Sequence, residues 1–298
     1  MNLDVLGNGA LKISEIGFGC MSLSKAHVDQ CEAMISMAVE RGINFFDTAD
    51  LYDKGANEQL IGRLLKPVRH QIVLATKVGN QWRPDGSGWD WNPRAAYIEA
   101  AVDKSLQRLQ TDYIDLYQLH GGTIEDDIED TIAAFERLVE QGKIRYYGIS
   151  SIRPNVIRKY VELSNMQSVM MQYSLLDRRP EEEALNLLQS NKKGVLVRGA
   201  LAQGLLIDKP AKAYLGYGAG EVAALQERLA EWCPTDAEKI ALALDYVLRH
   251  DAVSAAVIGF RTPEQLEQVL NAYASKISAG AMEAAAAVLP ALAYTDHR

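Results

Sequence analysis

The sequence predicts an α/β protein folded as a closed (β/α)8 barrel of the TIM type, with an N-terminal β-hairpin and an extra C-terminal helix. Short apolar runs alternate with amphipathic segments along most of the 298 residues, which is the order expected of repeated strand and helix units. The runs are continuously apolar, as buried parallel strands are, because both of their faces are covered. Polar residues directly follow several runs, and functional groups gather at the carboxyl ends of barrel strands.

Eight strands and seven helices account for these units. The predicted strands cover residues 15–18, 44–47, 72–77, 114–119, 144–149, 169–173, 194–197 and 255–258. The predicted helices cover residues 28–41, 93–109, 128–141, 154–163, 181–189, 237–248 and 263–273. Gly42 gives the first helix a stop signal, and Thr262 provides an N-cap before Pro263 in the last.

Four stretches lie outside this repeat. Residues 1–14 predict a short hairpin that caps the barrel, with its turn at residues 7–9. Residues 79–92 form a long loop rich in Gly and Trp, and loops of this length are usually functional or mobile. Residues 204–235 form a second long excursion, and residues 279–291 predict a final helix packed on the barrel.

A doubly wound open sheet is the alternative architecture. Such sheets usually carry a glycine-rich fingerprint after the first strand. The nearest candidates, Gly7-Asn8-Gly9 and Gly17-Phe18-Gly19, do not complete it, which favours the barrel. No low-complexity linker divides the chain, so we expect a single domain over residues 1–298.

Composition and charge argue against several classes of protein. The net charge is −8 with no basic cluster, which argues against nucleic-acid binding. No stretch approaches the roughly 18 apolar residues of a membrane span, and the N-terminal residues lack the pattern of a signal peptide. The three cysteines, Cys20, Cys31 and Cys233, have no CxxC spacing, which argues against disulfides and a structural zinc site. We therefore expect a cytoplasmic protein without a membrane partner or a metal centre.

Four residues at strand ends could form one site for hydride transfer to a carbonyl. They are Asp47, Tyr52, Lys77 and His120. A tyrosine has a pKa of about 10, and a nearby ammonium lowers that value. Asp47 would keep Lys77 charged despite burial, and His120 could donate a hydrogen bond to a carbonyl oxygen. The four residues lack a typical nucleophile and a full set of metal ligands, which points to reduction by an external hydride source such as a nicotinamide.

Each of these residues also has an ordinary structural interpretation. An aspartate after a strand often caps a turn, and a single tyrosine or histidine is more often structural than catalytic. Their joint placement at strand ends favours a site. Lys77 alone would also permit a Schiff base with a carbonyl, as in an aldolase, so a Schiff-base lyase is an alternative.

Six segments of the chain resemble the aldo-keto reductases. They read LGNGALKISEIGFGCMSL, GINFFDTADLYDKGANEQLIGRLL, LATKVG, DYIDLYQLH, GKIRYYGISS and IGFRTPEQL. The matches run in the family's order from residue 3 to about residue 273. The resemblance implies that Tyr52 is the proton donor, that Lys77 tunes it, that Asp47 is the partner of the lysine and that His120 orients the substrate carbonyl.

The resemblance also implies a small-molecule aldehyde or ketone as substrate and NADPH/NADP+ as cofactor. In this family the cofactor binds extended without a Rossmann domain, which would explain the missing glycine fingerprint. The family includes non-catalytic regulatory subunits that bind the cofactor, and retention of all four catalytic-type residues disfavours that alternative.

For the nicotinamide end of the cofactor, the resemblance implies contacts from the fifth and sixth strands. Ser150 and Ser151 stand where the family has Ser-Asn against the carboxamide, so Ser151 is a departure. The glutamine of the sixth strand is displaced by two positions to Gln172, which points to the same face and is expected to substitute. A segment expected over the pyrophosphate follows the seventh strand and contains Arg198, Gly199, Leu201, Gln203 and Gly204.

For the adenosine end, the resemblance implies a clamp at the start of the last predicted barrel helix. Gly259 would allow close approach of the backbone. Arg261 and Thr262 lie at a helix N-terminus, which favours an anion, and a guanidinium suits a 2′-phosphate, which favours NADPH over NADH. Gln265 and Gln268 match positions that contact the adenosine.

The substrate pocket is predicted to include Met21 and Trp82. Met21 follows the first barrel strand, and Trp82 lies in the long loop after Lys77, which would overlook the barrel mouth.

Overall fold

Eight short parallel strands pair edge to edge into a closed barrel, in a computed structural model that describes residues 1–275 and 277–298. The barrel strands are β3 (Ile16–Gly19), β4 (Phe45–Asp47), β5 (Val73–Val78), β8 (Ile114–Leu119), β9 (Ile144–Ser150), β10 (Ser168–Gln172), β11 (Gly194–Arg198) and β12 (Val253–Gly259). They follow one another around the barrel in chain order, and β12 closes it by pairing with β3. The predicted (β/α)8 fold is confirmed.

Helices connect the strands on the outside of the barrel. They are α1 (Val28–Glu40), α2 (Ala56–Leu65), α3 (Ala95–Leu109), α4 (Ile128–Glu140), α5 (Pro154–Leu163), α6 (Ala184–Ser190), α7 (Ala219–Trp232), α8 (Asp236–Leu248), α9 (Pro263–Tyr273) and α10 (Ala279–Ala287). The predicted N-cap is confirmed at α9, where Thr262 Oγ1 accepts a hydrogen bond from the amide of Gln265. None of the described helices is long and apolar enough to cross a membrane.

The helix prediction missed two helices and misplaced the ends of others. Helix α2 was not predicted, and α7 lies in the excursion over residues 204–235. The helix predicted at residues 181–189 starts only at Ala184, because a short 3-10 turn with a proline at its start precedes it. The last helix ends at Ala287, shortly before Pro290.

The alternation of side chains along each strand divides the core into two layers. One face of the strands packs against the helices, and the other fills the inside of the barrel. The inward residues are Phe45, Val73, Ala75, Leu116, Met170, Leu196, Ala255 and Val257.

The predicted N-terminal hairpin closes the end of the barrel at which the strands begin, here called the lower end. Strands β1 (Leu3–Val5) and β2 (Lys12–Ser14) pair antiparallel, as expected. The hairpin adds Leu6, Leu11 and Ile13 to the apolar interior. Gly7 lies in the turn at φ +62°, and a Cβ there would lie 2.3 Å from the carbonyl oxygen of Gln167, so the turn requires glycine.

A second hairpin stands above the other end of the barrel. The prediction of a loop over residues 79–92 is wrong, because strands β6 (Asn80–Trp82) and β7 (Trp89–Trp91) pair antiparallel there. The indole of Trp91 donates to the carboxylate of Asp126 and anchors the hairpin to the barrel.

Candidate active site

The inward face of the strands becomes polar at the carboxyl end of the barrel. Each polar residue stands two positions after an apolar inward residue, so its side chain lies on the same face. In this way Phe45 is followed by Asp47 on β4, and Ala75 by Lys77 on β5. The same step gives Gln118, Gln172 and Arg198 at the ends of β8, β10 and β11.

Lys77 and Asp47 form a buried ion pair at this rim. Lys77 Nζ lies 2.5 Å from Asp47 Oδ2 and donates to the carbonyl of Thr48 at 2.8 Å. Gln118 Nε2 donates to the other carboxylate oxygen at 3.2 Å. Burial alone would lower the pKa of Lys77, but the charges of Asp47 and Tyr52 outweigh it and raise the pKa. The ammonium therefore stays charged.

The phenol of Tyr52 lies beside this ammonium. Lys77 Nζ is 5.3 Å from the centre of the tyrosine ring, and the ring of His120 meets it edge to face at 5.9 Å. Burial raises the pKa of Tyr52, and the charge of Lys77 opposes only part of that effect. The lysine acts in the direction expected from sequence, but the net shift is upward because burial is the larger cause. The phenol is therefore protonated at neutral pH and can donate a proton.

His120 follows β8 and presents a neutral imidazole to the same space. Its amide donates to the carbonyl of Val78 at 2.7 Å, which extends the strand pairing to the rim. Burial, followed by the charges of Lys77 and Arg198, lowers the pKa of His120 to about 3. Nδ1 is buried without a hydrogen-bond partner among residues 1–275 and 277–298. A neutral ring at this place can hydrogen-bond a carbonyl oxygen but carries no charge at physiological pH.

A series of hydrogen-bonded polar side chains lines the opposite side of the mouth. Arg198 Nη1 donates to Gln172 Oε1 at 2.9 Å, and Gln172 Nε2 donates to the hydroxyl of Tyr214 at 3.1 Å. Ser150 ends β9, whereas the hydroxyl of Ser151 is buried and accepts from the amide of Arg153 at 3.2 Å. The two serines are therefore not equivalent, since only the hydroxyl of Ser151 has a partner recorded in the described chain.

The loop after β11 turns sharply beside these hydrogen-bonded side chains. Backbone φ angles are positive at Gly199, Ala202, Gln203 and Gly204. The turn folds the segment from Gly199 to Gly204 back on itself next to Arg198, and Leu201 within it is half-buried. Such a turn places backbone groups close to a neighbouring ligand, which suits a segment expected over a pyrophosphate.

The residues predicted to hold the adenosine lie at the end of β12 and the start of α9. Gly259 ends β12, and a Cβ there would meet nothing closer than 3.8 Å, so the backbone is open to approach. Gln265 Oε1 accepts from the amide of Arg261 at 2.9 Å and orders the turn. The side chains of Arg261 and Gln268 are exposed.

These features fit a nicotinamide dinucleotide. A helix N-terminus beside a guanidinium, which has no ion-pair partner in the described part of the chain, suits a phosphate. The protonated phenol and the neutral imidazole of the rim suit the reactive end of such a cofactor.

The two predicted substrate residues lie at the mouth in different surroundings. Met21 is 67 % exposed in a 3-10 turn after β3. Trp82 ends β6, and its indole nitrogen donates to the carbonyl of Leu51 at 3.2 Å. The sequence analysis did not predict Gln118. This residue stands two positions after the inward apolar residue Leu116 and two positions before His120, so the alternation of side chains along β8 could have identified it.

Comparisons with known proteins agree with this architecture. Residues 15–289 match the family model described as the Aldo/keto reductase family. The uncharacterized oxidoreductase YqkF of Bacillus subtilis is 49% identical over 276 residues, which cover 90% of this chain and 89% of that protein. The aldo-keto reductase yakc [NADP(+)] of Schizosaccharomyces pombe is 36% identical over 65% of this chain and 60% of its own length.

A solved structure is similar over the whole chain. The holo form of aldo-keto reductase AKR11C1 from Bacillus halodurans superposes with a TM-score of 0.94 at 47% identity, covering 100% of this chain and 99% of that one. Together with the family match, this similarity shows that the chain is an oxidoreductase that belongs to the aldo-keto reductase family.

Proposed function

We propose that this protein reduces an aldehyde or ketone to an alcohol with NADPH and that Tyr52 is the proton donor. The observation that carries the proposal is the buried Lys77–Asp47 pair beside a phenol whose pKa burial raises. A charged ammonium there stabilises the phenolate that remains after proton transfer. The name of the relative from Schizosaccharomyces pombe carries NADP(+), which agrees with the choice of cofactor.

In the proposed reaction each rim residue has a separate task. NADPH, when bound, supplies the hydride that goes to the carbonyl carbon. Tyr52 gives its proton to the carbonyl oxygen, and Lys77 holds the resulting phenolate until solvent returns a proton. Asp47 keeps the lysine charged, and the neutral imidazole of His120 donates a hydrogen bond that orients the carbonyl oxygen. Gln118 holds the carboxylate of Asp47 in place.

The cofactor-binding residues are proposed from their places around the mouth. Ser150, Ser151 and Gln172 would hold the carboxamide. The segment over the pyrophosphate comprises Arg198, Gly199, Leu201, Gln203 and Gly204. The adenosine end would be held by Gly259, Arg261, Thr262, Gln265 and Gln268.

A Schiff-base mechanism is less compatible with this geometry. A lysine that attacks a carbonyl must lose its proton first. The pKa of Lys77 is instead raised, and its amine donates to both Asp47 and Thr48. Lys77 therefore acts as a fixed cation in the proposed site.

The substitution Tyr52→Phe tests the proton donor. We expect kcat to fall by about 10²- to 10⁴-fold, because general acid catalysis is lost, while the affinity for NADPH in a fluorescence titration stays nearly the same. Tyr113→Phe is the matched control, since that ring is held between Arg69 and Arg145 before β8 begins, far from the mouth. Retention of activity, or loss of NADPH binding, by Tyr52→Phe would contradict the assigned role.

The substitution Arg261→Ala tests the choice of cofactor. We expect the Kd for NADPH to rise about tenfold or more, because a charge-assisted contact to the 2′-phosphate is lost, while the Kd for NADH changes little. Arg228→Ala on the surface of α7 is the control, since this arginine contacts Glu231 and the ring of Trp232 on its own helix. Equal weakening of both cofactors would remove Arg261 from the 2′-phosphate.

A further inference from the structure

The backbone directly after Tyr52 adopts an unusual conformation. Asp53 and Lys54 both lie in the left-handed region, at φ +48° and +52°, and Gly55 follows at φ +85°. Residues with a Cβ avoid this region, and two in succession persist only where the surroundings impose them. Something outside the loop must therefore hold it.

The β6–β7 hairpin supplies contacts on both sides of Tyr52. On one side, the indole nitrogen of Trp82 donates to the carbonyl of Leu51 at 3.2 Å. On the other side, Lys54 Nζ donates to the carbonyl of Gly86 at the hairpin tip, also at 3.2 Å. The same ammonium lies 5.1 Å from the centre of the Trp82 ring, which is a cation–π contact.

The hairpin is anchored to the barrel by the hydrogen bond from Trp91 to Asp126 and is tied across its strands by an exposed ion pair. The guanidinium of Arg83 contacts the carboxylate of Asp90 across the two strands through Nε and Nη2. The tip turns at Gly86, where φ is +70° and an added Cβ would lie 2.8 Å from Lys54 Nζ. The tip therefore leaves just enough room for the ammonium.

We propose that Trp82 and Lys54 are positioning residues that hold the Tyr52 loop so that its phenol stays beside Lys77. This inference rests on the proposed role of Tyr52. The phenol ring meets Lys77 and His120 at the rim, and the backbone of its loop sets the point from which it reaches them. A small displacement of a catalytic group is costly, because productive geometry is lost before binding is.

Two conservative variants test this role. Trp82→Phe keeps an aromatic ring and removes the N–H donor, and Lys54→Met keeps the aliphatic stem and removes the ammonium. For each variant we expect kcat to fall about tenfold, while KM for the carbonyl compound and Kd for NADPH change little. Lys54→Arg restores a cation and a donor, so it should recover most of the lost kcat.

Trp89→Phe is the matched control for the tryptophan variant. Trp89 is the register partner of Trp82 on β7, is 48 % exposed and forms no recorded side-chain hydrogen bond in the described part of the protein. We expect its kcat to stay at the wild-type level. Because Trp82 and Lys54 hold one loop, the double variant should lose little more than the worse single variant.

Hydrogen–deuterium exchange measures how strongly the loop is held in place, and it does not require enzymatic turnover. The amides of residues 51–55 should exchange faster in Trp82→Phe and Lys54→Met than in the wild type or Trp89→Phe. Unchanged exchange, or a raised KM with unchanged kcat, would overturn the inference, and the latter would make Trp82 a wall of the substrate pocket. A wild-type protein that reduces no carbonyl compound would overturn the proposed function instead, and the exchange experiment would still decide whether the hairpin holds the loop.

Discussion

The two ends of the barrel use the same alternation of side chains for opposite purposes. At the lower end, Leu6, Leu11 and Ile13 of the N-terminal hairpin pack onto apolar inward residues of the strands and seal the interior. At the upper end, the next inward positions carry Asp47 and Lys77, both buried. Burial of charges costs free energy that pairing only partly offsets, whereas burial of apolar groups stabilises the fold. The lower end therefore provides stability, and the upper end uses some of it to hold reactive groups.

The largest effect that separates the two ends is expected from Lys77→Met. The ammonium that stabilises the phenolate is lost, so we expect kcat to fall by about 10³-fold or more. The fold should survive, because the carboxyl of Asp47 can take up a proton once its counter-charge is gone. Steady-state kinetics and circular dichroism measure the two parts of this prediction.

A lysine at the lower end provides the matched control. Lys193 is also buried, immediately before β11 begins, and burial lowers its pKa. Lys193→Met should leave kcat of the folded protein unchanged. If both substitutions reduced kcat equally, the division of labour between the two ends would be wrong.

The next effect concerns stability and belongs to the lower end. Ile13→Ala removes a fully buried side chain from the seal, and we expect the free energy of unfolding to fall by about 2–5 kcal/mol. Urea denaturation measures this change. Val5→Ala on the neighbouring strand is the control, since Val5 is 42 % exposed and its loss should cost less than about 0.5 kcal/mol. A folded Ile13→Ala protein with a reduced kcat would show that the two ends are coupled.

The same contrast explains which parts of the fold could be predicted from sequence. Continuous apolar runs identified all eight barrel strands, and their ends placed Asp47, Lys77 and His120 at one rim. Helix α2 was missed because its first turn buries polar residues. Asn57 bonds to Thr48 and to two backbone carbonyls, and Glu58 pairs with Arg108. The apolar part of α2 is therefore confined to its second half, where Leu60, Ile61 and Leu65 are buried.

The remaining differences also arise from contacts that are distant in sequence. The β6–β7 hairpin has strands of only three residues, and its anchoring by Trp91 to Asp126 cannot be recognised from its local pattern. The upward shift in the pKa of Tyr52 depends on how deeply the fold buries its phenol. The adenosine clamp around Arg261 was predicted from family resemblance, and its roles remain predictions.

The smallest expected effect tests whether the upper end bears a pH-dependent cost that the lower end lacks. Asp50 lies behind Lys77, and its amide donates to the carbonyl of Lys77 at 3.2 Å. Its Oδ1 is buried without a hydrogen-bond partner in the described chain, and burial together with Glu58 raises the pKa of Asp50 to about 8. The folded protein therefore keeps a proton that the unfolded chain releases near its ordinary pKa of about 3.9. Stability from this group is complete below that value and is lost as the pH rises towards 8.

Asp50→Asn removes the titration while keeping a similar shape. Relative to wild type, we expect the variant to gain stability steadily between about pH 4 and pH 8, by up to about 1.4 kcal/mol for each pH unit. Urea denaturation at several pH values measures the difference. Ile13→Ala introduces no ionisable group, so its difference from wild type should stay constant over the same range. A constant difference for Asp50→Asn as well would mean that Asp50 is ionised in the folded protein. The upper end would then bear no pH-dependent cost from this carboxyl group.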